Sequence, residues 1–257
     1  MSTTQFVDVP GHRLECLRVA GSDGAPTLVF LHEGLGSAAM WKDFPEQVAR
    51  ATGCPALVYS RPGYGRSSPA ALPRTPDYMH VEASDVLPAL LDRLGIDEPL
   101  LIGHSDGASI ALLHAGSGTR PVRALVALAP HVFVEDISVA SITKARRTYE
   151  TTDLRERLAR YHRDVDAAFY GWNDIWLAPA FRHWNIEDCV STIRCPLLLI
   201  QGHDDEYGTA AQLDSIEQRA HDKIVRLELA DCAHSPHRDQ PLATLAAIVD
   251  FVATTTL

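Results

Sequence analysis

At residues 100–111 the chain reads Leu100-Leu101-Ile102-Gly103-His104-Ser105-Asp106-Gly107-Ala108-Ser109-Ile110-Ala111, an apolar run, a glycine-flanked serine and a second apolar run. The first run is short enough for a buried strand, and residues 108–115 are typical of a helix. Ser105 is therefore predicted on a tight strand-to-helix turn, where a strained backbone pushes a serine hydroxyl outward. Gly103 and Gly107 suit a turn in which any side chain would collide with the neighbouring strand or helix.

This turn has two interpretations. A serine nucleophile would gain from the unpaired backbone N–H groups and the positive dipole end of the helix that begins here. The plainer interpretation is a glycine-rich turn with a capping serine, because the pattern G-x-S-x-G also arises by chance. The segments on either side decide between them.

Apolar runs and helical periods alternate on both sides of the turn, which indicates a mainly parallel sheet with helices on both faces. The predicted strands are residues 6–9, 14–19, 28–31, 56–59, 100–102, 124–128, 196–200 and 225–229. The predicted helices lie at about 41–50, 78–94, 108–115, 213–219 and 242–252. Pro88 is expected to kink the second of these helices.

The alternation breaks between residues 131 and 190. This segment is helical in pattern, rich in charge, and carries three of the four tryptophans. We interpret residues 131–190 as a helical cap, inserted into a core formed by residues 1–130 and 191–257. Residues from this cap, with His131, Trp172 and Trp176 as candidates, are expected to bind substrate over the carboxyl ends of the strands.

Composition excludes several classes of protein. A formal net charge of −10 over 257 residues provides no basic stripe for nucleic acid. No transmembrane run or signal peptide is visible, so we expect no membrane partner. The five cysteines form no C-x-x-C pattern, and reduced thiols in a cytoplasmic protein are the simplest account. A homodimer is left open.

Two downstream loops supply partners for a serine nucleophile, which needs a general base and usually an orienting acid. After the strand at 196–200 comes Gln201-Gly202-His203-Asp204-Asp205-Glu206, and after the strand at 225–229 comes Asp231-Cys232-Ala233-His234-Ser235-Pro236-His237. Both loops follow carboxyl ends of strands, where an open α/β sheet binds its ligands. The chain order serine, acid, histidine is that of one particular hydrolase fold.

Two more segments complete a family pattern: the loop His32-Glu33-Gly34-Leu35-Gly36 and the turn Arg61-Pro62-Gly63-Tyr64-Gly65-Arg66-Ser67. With the serine turn and the two loops, they resemble the α/β-hydrolases of the cap-bearing esterase, lactonase and C–C hydrolase group, over nearly the whole chain. The resemblance implies an α/β-hydrolase fold, with an eight-stranded, mostly parallel sheet and a helical cap. It also implies a serine hydrolase that cleaves a small-molecule ester or lactone through an acyl-enzyme, without a cofactor.

The resemblance assigns the catalytic residues by position. Ser105 matches the nucleophile, and Asp205 matches the acid because it falls three residues after the loop glycine. His234 fits the histidine better than His237, since an acidic residue and a proline follow it at the usual places. His203, Asp204 and His237 are then expected to be polar loop residues near the site. The implied oxyanion donors are the backbone N–H groups of Asp106 and Gly34.

Two positions depart from the family pattern. The usual His-Gly pair of the first loop reads His32-Glu33, which brings a carboxylate near the site. The family usually has an aspartate just before the second segment, and this chain reads Ser60-Arg61 there. Glu33 and Arg61 are therefore candidate substrate-binding residues. Arg61 could also pair with Glu33 or form a surface salt bridge.

Other classes of function fit the sequence less well or stay open. A metal-dependent hydrolase is disfavoured, because His234 and His237 lie in a proline-containing loop and not on one helix face as in H-E-x-x-H. No other spacing typical of metal ligands is present, so no metal site is predicted. A C–C bond hydrolase, a thioesterase, or a non-catalytic receptor-like relative that binds a small ligand stays open.

Overall fold

The computed structural model describes residues 2–255 and builds a sheet with helices on both faces. The strands are β1 (Ser2–Val9), β2 (His12–Val19), β3 (Leu28–Leu31), β4 (Ala56–Tyr59), β5 (Leu100–His104), β6 (Ala124–Leu128), β7 (Leu197–Gly202) and β8 (Ile224–Leu229). The helices are α1 (Phe44–Thr52), α2 (Tyr78–Val81), α3 (Leu87–Leu94), α4 (Asp106–Ser117), α5 (Asp136–Thr151), α6 (Leu154–Leu158), α7 (Val165–Leu177), α8 (Glu187–Val190), α9 (Ala211–Arg219), α10 (Pro236–Asp239) and α11 (Pro241–Thr255).

The strand order across the sheet is β1-β2-β4-β3-β5-β6-β7-β8. Pairing is parallel from β4 through β8, whereas β1 pairs antiparallel with β2 and β2 antiparallel with β4. The predicted eight-stranded, mostly parallel sheet is confirmed. The chain moves from β3 outward to β4 and then returns to β5 on the other side of β3. Such a reversal of strand order is where open α/β sheets bind ligands, and Ser105 follows β5 at this point.

The central strand β5 shows why its sequence is apolar throughout. Leu101 packs with α3 and α4 on one face of the sheet, while Leu100 and Ile102 pack with α1 and α11 on the other. Because successive side chains of a strand point to opposite faces, a sheet covered on both sides buries every residue of its inner strands. All five residues of β5 are buried.

The helices begin or end a few residues from their predicted bounds, and two of them also differ in the kind of helix. The helix predicted at 41–50 begins as a 3₁₀ turn at Ala38–Trp41 and continues as α1. The helix predicted at 78–94 consists of α2 and α3 joined by a π-helical turn at Glu82–Val86, in place of the simple kink expected at Pro88. Proline has no N–H to donate within the helix, and the turn before it widens to a bond from Leu87 N–H to the Glu82 carbonyl. Glu82 is thereby part of the buried core.

Residues 131–190 contain α5 to α8 and a 3₁₀ turn at Pro179–His183. These helices follow the carboxyl end of β6, and Trp172 of α7 lies against Gly34 in the loop after β3. The helical segment therefore lies over the carboxyl edge of the sheet, whereas its separation from the core as a cap stays a prediction. No helix within residues 2–255 is both long enough and apolar enough to cross a lipid bilayer.

Candidate active site

Ser105 joins β5 to α4 with a strained backbone. Its φ of 53° and ψ of −119° lie in a region that residues with a Cβ rarely adopt. Its N–H donates to the Leu128 carbonyl at 2.9 Å, and its own carbonyl accepts from the N–H groups of Ala108 and Ser109. These bonds hold the turn at both ends. The observed geometry is the one that presents a serine hydroxyl at the carboxyl edge of a sheet.

Close packing requires the two glycines that flank Ser105. A Cβ on Gly103 would lie 2.4 Å from the Gly107 carbonyl oxygen, and a Cβ on Gly107 would lie 2.1 Å from the Leu31 carbonyl oxygen. Both contacts are to backbone atoms, which cannot move aside without shifting β3 or α4. The glycines therefore allow α4 to approach the sheet as closely as this turn demands.

The loops after β7 and β8 bring Asp205 and His234 together. His234 Nδ1 lies 2.8 Å from Asp205 Oδ1. Because a carboxylate only accepts hydrogen bonds, Nδ1 carries a proton and Nε2 is left free for another partner. Within the described residues no hydrogen bond joins Ser105 Oγ to His234, although both side chains line the same cavity. In enzymes of this kind such bonds often tighten only when substrate binds.

The buried carboxylate of Asp205 is well supplied with donors. Oδ1 also accepts from the N–H groups of Tyr207 at 2.8 Å and Gly208 at 3.3 Å, and Oδ2 accepts from Gln201 Nε2 at 3.2 Å. Burial raises the pKa of Asp205, but attraction to His234 and the hydrogen bonds outweigh burial and leave that pKa below its ordinary value. Burial lowers the pKa of His234, and the Asp205 charge outweighs burial, so that pKa is raised. The pair is therefore suited to an imidazole that gains a proton during a reaction.

Ser105 and His234 line a cavity of about 270 Å³ at the carboxyl edge of the sheet. This volume is at the small end of the range for ligand sites. Its apolar wall consists of Leu35, Met40, Ile142, Leu158, Trp172 and Trp176. Helices α5, α6 and α7 supply four of these six side chains, so the segment between β6 and β7 shapes the cavity.

The two predicted oxyanion donors also line this cavity. Gly34 lies in the loop after β3, and Asp106 is the first residue of α4. Neither backbone N–H makes a hydrogen bond within the described residues. Ser105 thus shares the cavity with two residues whose N–H groups are available to a negative oxygen.

The sequence matches the model of the alpha/beta hydrolase family over residues 28–248. The chain belongs to this family. The match contains the serine turn, both partner loops and the whole segment between β6 and β7. The predicted family is confirmed.

Three known proteins resemble this chain over different shares of its length, from 62% to 97%. It is 24% identical over 262 residues to the sn-1-specific diacylglycerol lipase ABHD11 of Danio rerio, covering 90% of this chain and 80% of the lipase. It is 27% identical over 159 residues to a 2-succinyl-6-hydroxy-2,4-cyclohexadiene-1-carboxylate synthase of Salmonella paratyphi A, a match that spans 58% of the synthase. The enol-lactonase of Burkholderia xenovorans LB400 has the same fold, with a TM-score of 0.77, 21% identity, and coverage of 97% of this chain and 100% of the lactonase. The family match and the similarity to the lipase support a hydrolase.

Glu33 lines the cavity, and its carboxylate lies beside two other residues of the cavity lining. Its Oε1 lies 3.6 Å from Arg238 Nη2, and its Oε2 lies 3.7 Å from His104 Nδ1. Burial raises the pKa of Glu33, but contacts with His104 and Arg238 outweigh burial and hold that pKa well below its ordinary value. The carboxylate is therefore ionised and lies beside two groups that can carry positive charge.

Arg61 does not line the cavity, which corrects the expectation that it contacts substrate. The side chain is completely buried, so the alternative of a surface salt bridge is wrong as well. Arg61 does meet Glu33, but through the backbone: Nη2 donates to the Glu33 carbonyl at 2.9 Å. The turn after β4 carries this guanidinium inward, underneath the loop that contains Gly34.

The aromatic residues between β6 and β7 divide into two groups. Trp172 and Trp176 line the cavity, while Phe181 and Trp184 stack on each other behind Trp176, with ring centroids 5.3 Å apart. Trp176 Nε1 also donates to Asp106 Oδ1 at 3.2 Å. The aromatic density of this segment therefore serves both the cavity wall and the packing behind it.

The remaining histidines take different places. His131 lines the cavity beside Trp176, and burial lowers its pKa to about 3, so it is neutral. His237 is buried against Trp41, with ring centroids 4.7 Å apart, and is not the polar loop residue that the sequence suggested. His203 is exposed, as expected. In the part of the chain that the structure describes, no group of three or more His, Cys, Asp or Glu side chains is arranged to hold a metal ion.

Some residues of the site were not predicted from the sequence. His104 Nε2 donates to the His234 carbonyl at 2.7 Å and so links the serine turn to the histidine loop. Gln201 supports Asp205, and a polar side chain at the end of an apolar strand was a signal for it. Tyr78 donates to Asp106 Oδ2 at 2.6 Å from another helix, and no local pattern indicates that contact.

Proposed function

We propose that this protein is a serine hydrolase that cleaves a small carboxylic ester or lactone through an acyl-enzyme on Ser105. One observation carries the proposal. Ser105, on a strained turn, lines the same small cavity as His234, and the Nδ1 atom of His234 donates to the buried, ionised carboxylate of Asp205. Each part is costly or uncommon alone, and together they supply a nucleophile, a base and an orienting acid.

The reaction follows from these positions. His234 Nε2 takes the hydroxyl proton as Ser105 Oγ attacks the carbonyl carbon, and the carbonyl oxygen becomes negative. The protonated imidazole then returns the proton to the leaving alkoxide as the C–O bond breaks, which releases an alcohol and leaves an acyl-serine. Water repeats the two steps and releases the acid. Asp205 keeps Nδ1 protonated and stabilises the imidazolium throughout.

The negative oxygen needs fixed donors in a site with little water. The N–H groups of Gly34 and Asp106 have no other partner within the described residues, and both residues line the cavity with Ser105. Removing one such donor typically costs about 3–4 kcal/mol of transition-state stabilisation. We assign these two groups as the oxyanion donors.

The cavity supports a small, largely apolar substrate. Its volume of about 270 Å³ and its wall of aliphatic and tryptophan side chains suit a short acyl group or a compact ring. Residues 131–190 would act as a cap that closes over this group, with His131, Trp172 and Trp176 as contacts. The similarity to a lipase and an enol-lactonase agrees with esters and lactones as the bonds to test.

A fluorophosphonate probe, followed by a panel of p-nitrophenyl esters and lactones, tests the proposal. The probe should add its mass to the peptide that contains Ser105, and turnover should fall by roughly 10⁴-fold or more in Ser105→Ala. Activity that survives in Ser105→Ala, or labelling of another residue, contradicts the proposal. Binding of esters or lactones without turnover by the wild-type protein would identify a receptor-like relative instead, and loss of activity with a chelator would identify a metal-dependent hydrolase.

A further inference from the structure

Arg61 is a buried cation outside the cavity that contacts both sides of the proposed oxyanion site. Its side chain has no solvent exposure, and its Nε and Nη1 have no hydrogen-bond partner within the described residues. Burying a charge is costly unless it is paired. All polar contacts of the guanidinium are made by Nη2, which lies near His32, Glu33 and Asp106.

The first contact is to the peptide group that carries one oxyanion donor. The Glu33 carbonyl accepts from His32 Nδ1 at 2.7 Å, Arg61 Nη2 at 2.9 Å and Gly36 N–H at 3.0 Å. The Arg61 N–H donates to His32 Nε2 at 3.0 Å, which leaves Nδ1 as the nitrogen that carries the proton. A trans peptide is planar, so the Gly34 N–H points away from the Glu33 carbonyl. Three donors on that carbonyl therefore fix the direction of the Gly34 N–H.

The second contact is to the residue that carries the other donor. Asp106 Oδ2 lies 3.8 Å from Arg61 Nη2 and accepts from the Tyr78 hydroxyl at 2.6 Å, while Oδ1 accepts from Trp176 Nε1 at 3.2 Å. The Asp106 side chain is completely buried beside the serine turn. An unpaired carboxylate there would oppose the negative charge that develops on the substrate oxygen, because interactions between charges are strong where water is excluded.

We propose that Arg61 is a positioning residue that holds both oxyanion donors in place and neutralises the Asp106 carboxylate beneath them, an inference that rests on the proposed function. It acts through the Glu33 carbonyl on the Gly34 N–H and through the Asp106 side chain on the Asp106 N–H. Hydrogen bonds to a carbonyl also polarise the N–H of the same peptide group and strengthen it as a donor. Arg61 touches no substrate in this scheme.

Matched ester and thionoester substrates test this role. A thionoester has sulfur in place of the carbonyl oxygen, which binds oxyanion donors poorly, so the oxygen-to-sulfur rate ratio reports donor quality. In Arg61→Met we expect kcat to fall roughly 10- to 100-fold, KM to change little, and the rate ratio to fall with kcat. Arg61→Lys keeps the charge, so its kcat and its rate ratio should lie between those of wild type and Arg61→Met.

Two control variants separate positioning from loss of stability. Ile248→Ala removes buried volume in α11, in the core cluster on the face of the sheet opposite α4, and should lower the melting temperature without changing the rate ratio. Tyr64→Phe removes a buried hydroxyl without a partner next to the Arg61 guanidinium and should leave kcat and the ratio unchanged. Where Arg61→Met does not fold, Arg61→Lys carries the same test.

The outcomes are distinct. A wild-type ratio in both Arg61 variants, with any loss of kcat matched by a lower melting temperature, overturns the positioning role and leaves the proposed function intact. A raised KM at unchanged kcat would place Arg61 in ground-state binding and overturns it too. Absence of turnover in the wild-type protein, with no probe on Ser105, contradicts the proposed function and this inference with it.

Discussion

Replacing Asp205 by Asn removes the charge next to His234 while keeping the shape of the side chain. The result depends on which way the new amide faces. If its NH₂ group faced His234, it would force the imidazole proton onto Nε2, and a histidine in that tautomer cannot accept the serine proton. Enzymes with a triad lose about 10⁴ in kcat when this happens.

The donors around Asp205 argue for the other orientation. Oδ1 accepts from the N–H groups of Tyr207 and Gly208 as well as from His234, whereas Oδ2 accepts only from Gln201 Nε2. An NH₂ group at the Oδ1 position would meet two backbone donors that cannot turn away. The amide oxygen should therefore occupy that position and keep Nδ1 of His234 protonated.

The loss then comes from the charge alone. Two unit charges about 4 Å apart interact by about 4 kcal/mol at an effective dielectric constant of about 20. The amide oxygen still accepts a hydrogen bond from Nδ1, and this bond retains about 1 kcal/mol of the lost stabilisation. We expect kcat/KM to fall by roughly 10²- to 10³-fold in Asp205→Asn, less than a misplaced tautomer would cost.

The pH profile gives a second, independent result. His234 acts as a base only when neutral, so the acid limb of kcat/KM against pH follows its pKa in the free enzyme. Burial lowers that pKa, and the Asp205 charge is the largest influence that raises it. Without the charge the pKa should fall, and the acid limb of Asp205→Asn should move to lower pH.

The assay is ester hydrolysis across pH, together with ¹⁵N NMR of the His234 ring to identify the tautomer. Asp204→Asn is the matched control, because it removes the same charge from the adjacent residue. Asp204 is exposed, so this change should alter kcat/KM by no more than a few-fold. A loss of 10⁴-fold with the proton on Nε2 would refute the argument from the donors around Oδ1. An acid limb that stays in place would refute the assigned cause of the raised pKa.

Three further predictions follow from single side chains. Burial raises the pKa of Glu82 from 4.5 to about 7, so between these pH values the folded protein holds a proton that the unfolded chain has released. The free energy of unfolding should therefore fall by up to about 3 kcal/mol as pH rises from about 4.5 to about 7, and urea titrations of Glu82→Gln should show a flatter profile over this range. Glu33→Gln loosens the contacts with Arg238 and His104 and should slow hydrolysis of every ester alike, with Glu33→Ala slower still; a selective loss on amine-bearing esters would instead mark Glu33 as a specificity residue. Trp172→Ala should change the preference among acyl-chain lengths with a moderate fall in melting temperature, and an unchanged preference would assign Trp172 to packing alone.

The sequence predicted the elements that depend on local pattern. Runs such as Leu28–Leu31 and Ala56–Tyr59 are apolar at every position because both faces of the sheet are covered, and the structure has strands at those residues. The glycines around Ser105 indicated a close approach of strand and helix, which the structure contains. Since parallel strands end at one edge, loops far apart in the chain could be expected to meet there, as those of Asp205 and His234 do.

The sequence could not determine which partner each polar side chain would choose. Arg61 was expected to bind substrate, to pair with Glu33 or to form a surface salt bridge, yet it is buried under the Gly34 loop and binds the backbone carbonyl of Glu33. The residues around Arg61 come from the loop after β3, the turn after β4, α2 and α4. The hydrophobic periodicity within each segment does not determine how these four segments pack together. Likewise the π-helical turn that buries Glu82 depends on Pro88 and on the core that covers it. Periodicity determines which faces of an element are buried, because burial repeats along one strand or helix, whereas the pairing of buried charges is settled only by contacts between elements in the tertiary structure.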